Sequence, residues 1–300
     1  MTSAALAPSA GEADREQISD ASNPLGIDGI EFIEYATTKP QALGQVLETM
    51  GFRPIARHRS REVLLYRQGD MNVIVNAHVT ARPRAVQPRE TPVIAAVALR
   101  VRDAAAAYRH VVNAGAWAVP THVEVMELNI PAIHGVGSSR IYFVDRYRDF
   151  SIYDVDFIHI PTVDPRVPAI EGLHWFGVVQ YIGLQRADDW CEFYGALFGF
   201  ERLPAEQRFG ILPAGRILAS PCGTFWLQLI EPSPDAEGVF DEQLQRVAFG
   251  AADVPAAMRA LRARGVEFVD TAALHPDAKG ALTRPMFGGV MFELVHHEAR

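Results

Sequence analysis

Cysteine is nearly absent from this chain: of 300 residues only Cys191 and Cys222 carry thiols. A small disulfide-stapled secreted scaffold needs more bridges than that, so this class is excluded. The expectation is a reduced, cytoplasmic protein with two unpaired thiols; a Cys191–Cys222 bridge is the alternative. No run of Lys and Arg exists and the formal charge is −8, so the clustered cationic footprint of a nucleic-acid binder is missing. No apolar stretch approaches the roughly 20 residues that span a bilayer, so no membrane partner is expected. Met1 to Asn23 lack a hydrophobic segment behind a basic start, which argues against a secretory signal. Rich in Ala, Ser, Glu and Asp, residues 1–23 are expected to form a disordered leader. A glycine-rich phosphate loop, a Cys-x-x-Cys pair and a Ser/His/Asp constellation are also missing.

What is present is an apolar fraction of 49%, sufficient for two cores in two domains of about 130 residues. Ile30 to Tyr35 alternates as a strand does. Leu43, Val46, Leu47 and Met50 recur at helical spacing within Lys39 to Met50, and Gly51 follows as a stop. Val63 to Tyr66 and Val73 to Val75 form a hairpin around Gly69-Asp70, and Ala77 to Pro92 is a Pro-rich loop. Val93 to Val101 is a strand, Asp103 to Asn113 an Ala-rich helix stopped by Gly115, and Ile141 to Val144 and Ser151 to Val155 two further strands. Three prolines between Ile160 and Gly172 mark a linker.

Beyond the linker the order repeats. A strand over Trp175 to Ile182 precedes a helix over Ala187 to Leu197 closed by Gly199. A hairpin joins Arg216 to Ala219 with Thr224 to Ile230. The strand Arg246 to Phe249, the helix Val254 to Ala263 closed by Gly265, and the strand Gly289 to Val295 complete the series. Met50-Gly51-Phe52 aligns with Phe198-Gly199-Phe200, and Val97 to Asp103 aligns with Val247 to Asp253. A tandem repeat of mixed strand–helix units is therefore expected, each unit with one sheet face to bury and paired units enclosing a cavity. The expected domains are 24–158 and 173–300, with 159–172 between them.

The residues now carry a specific resemblance. Asn23-Pro24-Leu25-Gly26-Ile27-Asp28-Gly29-Ile30, His58-Arg59-Ser60, Leu65-Tyr66-Arg67-Gln68-Gly69, Glu127-Leu128-Asn129-Ile130-Pro131, Phe143-Val144-Asp145-Arg146-Tyr147 and Ser151-Ile152-Tyr153-Asp154 resemble the first half of bacterial 4-hydroxyphenylpyruvate dioxygenases. Asp189-Trp190-Cys191-Glu192-Phe193-Tyr194, Gln245-Arg246-Val247-Ala248-Phe249 and Gly288-Gly289-Val290-Met291-Phe292-Glu293 are similar to the family's second half. The resemblance implies an α+β fold of two tandem vicinal-oxygen-chelate modules built from βαβββ-type units. It also implies a small aromatic or 2-keto acid ligand, and assembly into homo-oligomers. The family continues with a long closing helix, which the seven residues after Glu293 do not provide.

In that family the first half is structural, and the second holds iron(II) through two His and one Glu, leaving positions for a 2-keto acid and dioxygen. Carried over position by position, the third ligand falls on Glu293, the second on Arg246, and the first, about 16 residues before Phe193, on Gly177. A guanidinium has no lone pair for a metal. The matching positions of the first half are taken as Gly29, Ala96 and Asp154. His174, three residues before Gly177, is a rescue ligand, but an odd offset puts it on the other strand face unless the strand is bulged. No resident cofactor is therefore expected, and iron(II) enters only if the ligands have been re-sited.

The candidate catalytic residues are Glu293 and Arg246, and the candidate ligand-binding residues are Gln180, Gln228 and Arg246. Each has a plainer reading. Glu293 and Arg246 neutralise one another as a buried ion pair; the two Gln are solvent-facing strand residues; Trp175, Trp190 and Trp226 are core. His296 and His297 are solvated, His275 lies in a loop, and His58, His134 and His159 show no metal spacing. Three functions follow: a divergent relative that binds an acid without iron dioxygenation, a dioxygenase with re-sited ligands, or another lyase, dehydratase or binding protein on the same scaffold.

Overall fold

A computed structural model describes residues 22–78, 90–120, 128–148, 150–204, 206–211, 215–233, 235 and 241–299. The expected leader lies almost wholly outside them, as does most of the Ala77–Pro92 loop. The first half runs β1 (Ile30–Ala36), α1 (Pro40–Thr49), β2 (Arg53–His58), β3 (Val63–Gln68), β4 (Met71–Asn76), β5 (Val93–Arg100), α2 (Ala104–Asn113), β6 (Ala132–His134), β7 (Arg140–Val144), α3 (Ile152–Asp156) and β8 (Phe157–His159). The second runs β9 (His174–Tyr181), α4 (Ala187–Phe198), β10 (Glu201–Arg202), β11 (Arg216–Ala219), β12 (Trp226–Ile230), β13 (Gln243–Ala251), α5 (Val254–Arg262), β14 (Gly280–Leu282) and β15 (Phe292–His296).

The strands form one sheet with internal symmetry. In the first half the neighbours are β7-β5-β1-β4-β3-β2, and in the second β15-β13-β9-β12-β11-β10; β6 and β14 flank β7 and β15. The directions repeat too: β1 and β9 are antiparallel to β5 and β13 and parallel to β4 and β12. A contact between Leu244 and Ile94 joins the halves edge to edge. The α+β expectation holds, and no described helix is long and apolar enough to cross a membrane.

Strand alternation sends one set of side chains to a core shared by both halves and the other set to a separate face in each half. The shared core takes Ile33, Tyr35, Val97 and Leu99 from the first half and Val178, Val247, Phe249, Phe292 and Leu294 from the second. It also takes the apolar stripes of α1, α2, α4 and α5: Leu43 and Leu47, Ala107 and Val111, Tyr194 and Phe198, Ala257 and Leu261. The opposite face is filled in the first half by Phe32, Ala98, Tyr142, Tyr153 and Phe157. In the second half that face carries Phe176, Ala248 and Val295, with Phe209 and Trp226 packed against them.

One expected strand is a helix. Residues 152–156 form α3 because Ser151 and Asp154 make a reciprocal capping box. The Ser151 N–H and hydroxyl both donate to the Asp154 carboxylate (2.8 and 3.0 Å). Local side-chain bonds of this kind outweigh a short alternation of apolar residues. Asp154 is therefore not a strand position, and Gly29 precedes β1. Register gives Phe32, Ala98 and Tyr142 as the counterparts of Gly177, Ala248 and Glu293. The two cysteines are unpaired.

The repeat extends to helix caps. The Asp103 carboxylate accepts the Ala106 N–H and the Asp253 carboxylate accepts the Ala256 N–H, each at 2.8 Å. Substitution of either Asp by Ala is expected to lower unfolding free energy by about 1 kcal/mol. Urea titration of each variant checks this; an unchanged midpoint would show that the caps do not support α2 and α5.

Candidate functional site

Glu293, Ala248, Gly177 and Trp226 stand side by side across β15, β13, β9 and β12. The next row of that face holds Arg246, Val179 and Gln228. At Gly177 the backbones of β9 and β12 come so close that a Cβ would collide with the Trp226 carbonyl oxygen. The position takes glycine for steric reasons, not as a vacated side chain.

Arg246 and Glu293 meet on this face, the guanidinium Nε 3.4 Å from the carboxylate Oε2, with the two residues 7% and 3% exposed. Burial pushes the Glu293 carboxyl up to about 7, because desolvation of the anion outweighs the favourable field and hydrogen bond of Arg246. A charge this dry needs its partner. Removing either member strands the other, at a cost of about 3–5 kcal/mol.

The two glutamines do not share this face. Gln228 lines it beside Glu293. Gln180 points into the shared core, where the Tyr194 hydroxyl donates to its side-chain oxygen at 3.0 Å. His174 does reach the site face, by the bulge its offset requires. Ala248 pairs with Gly177 and Phe249 with Trp175, leaving Phe176 as the extra residue. The missing side chain at Gly250 makes room for the imidazole.

His174 shares a hydrogen bond with His297 (Nε2 to Nδ1, 2.9 Å), and its Nδ1 lies 3.1 Å from the Gly172 carbonyl. His297 is thus not a solvated terminal residue. Its ring packs 4.8 Å from Trp226 and 5.5 Å from Phe176. The two-residue spacing of Glu293, Val295 and His297 was the signal that places it there. Among the described residues no three His, Cys, Asp or Glu side chains converge as metal ligands.

Trp226 and Phe176 stack on this face (4.6 Å, 19°), whereas Trp175 is buried in the shared core. Phe209, outside any strand or helix, packs against the side of this stack, 5.1 Å from Phe176 and 5.3 Å from Trp226. It leaves a cavity of only about 20 Å3 against Glu293 and Gln228, room for one water at most. Outside Phe209 lies an open groove of about 510 Å3 lined by Arg208, His275, Asp277, Lys279 and His296. A groove of similar size in the first half, between α2 and residues 128–131, includes Asp145. That carboxylate is already engaged by the Ala104 N–H at 3.1 Å.

The fold and the paired faces define a class. Residues 173–294 match the glyoxalase/bleomycin resistance protein/dioxygenase superfamily, and residues 21–158 match the hydroxyphenylpyruvate dioxygenase N-terminal family. The chain is 33% identical over 263 residues to 4-hydroxyphenylpyruvate dioxygenase of Pseudomonas aeruginosa, covering 83% of this chain and 73% of that protein. It is 34% identical over 272 residues to hemolysin VllY of Vibrio vulnificus, covering 86% and 76% respectively. A solved fusion of a xylose isomerase-like TIM barrel with a 4-hydroxyphenylpyruvate dioxygenase superposes with a TM-score of 0.70 at 25% identity, and the chain spans half of that fusion. The chain belongs to the 4-hydroxyphenylpyruvate dioxygenase family.

Two outcomes follow from this geometry. Gly177→Ala is expected to lower stability by about 1–3 kcal/mol, as overpacking does; unchanged denaturation would show that β9 and β12 can part at no cost. The raised Glu293 carboxyl takes up a proton on folding in the window between its ordinary value of 4.5 and about 7. Its contribution to stability is therefore full at low pH and is lost as pH rises through that window. Glu293→Gln should flatten the pH dependence there, as measured by thermal melts from pH 4.5 to 8; a parallel curve for the variant would assign the titration elsewhere.

Proposed function

We propose that the second half of this chain binds a small aromatic or 2-keto acid through Arg246, with Glu293 as the counter-ion that the ligand's carboxylate replaces. Iron(II) dioxygenation is not part of this function. The observation that carries the reading is the buried Arg246–Glu293 contact at 3.4 Å. A planar guanidinium grips carboxylates through paired N–H donors, and this one is held in a dry site by a carboxyl that can take a proton near neutral pH.

The residues do not fit iron(II). Of the three positions that the family resemblance assigns to ligands, Glu293 alone offers a donor. Arg246 is a permanent cation, and Gly177 has no room for a side chain. His174 faces the site but turns its Nε2 to His297. The relatives named above as 4-hydroxyphenylpyruvate dioxygenases point to an aromatic 2-keto acid as the class of ligand, and Arg246 is the group that would hold its carboxylate.

Acid binding then depends on pH with a definite sign. Protonated Glu293 releases Arg246, whereas ionised Glu293 competes with the ligand for it. Affinity for 3-phenylpropanoate should therefore fall as pH rises from 6 to 8, and Glu293→Gln should remove most of that fall. The variant Arg246→Gln combined with Glu293→Gln leaves no stranded charge. It should bind the acid at least tenfold more weakly, about 1.4 kcal/mol, with the neutral amide little changed. Isothermal titration calorimetry with both compounds decides; equal loss for acid and amide would remove Arg246 from carboxylate recognition.

A further inference from the structure

The site face in the second half is closed by a residue that does not belong to it. Phe176 and Trp226 come from strands, and His297 continues the line of β15. Phe209 comes from residues 206–211, which form no strand or helix. Within that segment the one backbone hydrogen bond among the described residues runs from the Gln207 N–H to the Pro204 carbonyl. What seats the segment is the Phe209 ring packed against both Phe176 and Trp226.

Two glycines let the segment lie flat on the site. Gly210 has a left-handed φ of +62°, and a Cβ there would stand 2.8 Å from the Glu293 Oε1. A Cβ on Gly280 would stand 2.8 Å from the Gly210 Cα. The chain therefore rests directly over the carboxylate, and the ring beside it fills the space that makes the cavity so small. Phe209 is only half-buried, and its outer side lines the groove with Arg208, His275 and Lys279. In the first half the equivalent face is filled differently, by Phe32 and Tyr142 on its own strands and by Tyr153 and Phe157 from α3 and β8.

We propose that Phe209 is an intrachain plug in an aromatic seat: Phe176, Trp226 and His297 form a subsite for the planar ring of a ligand, and the ligand enters by displacing residues 206–211. The ring of Phe209 occupies the volume that a benzyl-sized group would take. Stacked and edge-on aromatic contacts of this kind stabilise beyond the area they bury, so a ligand ring can replace those the plug gives up. In the groove outside, Arg208 and Lys279 outnumber Asp277, and that net positive charge favours an acid at the mouth. That the ligand is an acid rests on the Arg246 reading above; that its ring and Phe209 exclude one another does not.

Trypsin cleavage after the exposed Arg208 reports the position of the segment in the wild-type chain. Saturating 3-phenylpropanoate should raise the cleavage rate at that bond severalfold, while pyruvate, which has no ring, should not. Phe209→Ala should bind 3-phenylpropanoate and 3-phenylpropanamide at least tenfold more tightly than the wild type by calorimetry, with pyruvate unchanged. Slower or unchanged cleavage with ligand overturns the proposal even if Phe209→Ala binds well, since the variant would then merely be filling an artificial hole. Weaker or equal binding by Phe209→Ala also overturns it. Should that variant not fold, the wild-type cleavage experiment decides alone. Equal tightening for acid and amide together with Arg246-independent binding would sustain the plug and remove the acid reading. Arg246-dependent acid binding with no effect of Phe209 on either assay would do the reverse.

Discussion

A carboxylate carried into an apolar sheet face must find a cation or give up its charge, and at Glu293 both answers are present. Arg246 stands at 3.4 Å, and burial holds the carboxyl near the point where it takes a proton. Much else on this face is arranged around that pair. Gly177 in the same row brings β9 and β12 into close contact, the Gly210 backbone covers the carboxylate, and the aromatic cluster next to it excludes water. Low dielectric strengthens every interaction in such a site, which makes the pair costly to break and sensitive to a competing acid.

The internal symmetry explains why one half presents such a site and the other does not. Both halves turn one sheet face to the shared helical core, so both have a second face to cover. The first half covers its own with side chains from its strands and from α3 and β8, at the positions that answer to Gly177 and Glu293. The second leaves a glycine and a carboxylate there and borrows a phenylalanine from outside the strand framework. Phe32 and Tyr142 can leave their face only if its strands unfold, whereas a segment that forms no strand or helix can open locally.

Much of the architecture was legible in the sequence, because the repeat is written in apolar periodicity and in the aligned Val97–Asp103 and Val247–Asp253 segments. The failures have local physical causes. Ser151 to Val155 alternates like a strand, but a capping box turns it into α3. The short strands β6, β8, β10 and β14 carry too few residues for any period. Face assignment was the weaker part. Gln180 and Gln228 looked equivalent, yet the pairing of Gln228 with Val179 and of Gln180 with Leu229 sends them to opposite faces, and register is a long-range property. The bulge at Phe176 that turns His174 inward has no composition signal. Phe209 lies in a stretch without periodicity and meets its partners only in three dimensions. The pairing of Arg246 with Glu293 was anticipated from the family positions, because both were expected to converge on one point.

The account stands most directly on whether this chain takes up iron. Protein purified anaerobically with added iron(II) would be assayed for metal content, and the same sample for oxygen uptake on 4-hydroxyphenylpyruvate. The account predicts no stoichiometric iron and no uptake, because Gly177 and Arg246 supply no ligand. Stoichiometric iron accompanied by uptake would contradict it and would make His174 the first residue to test as a re-sited ligand.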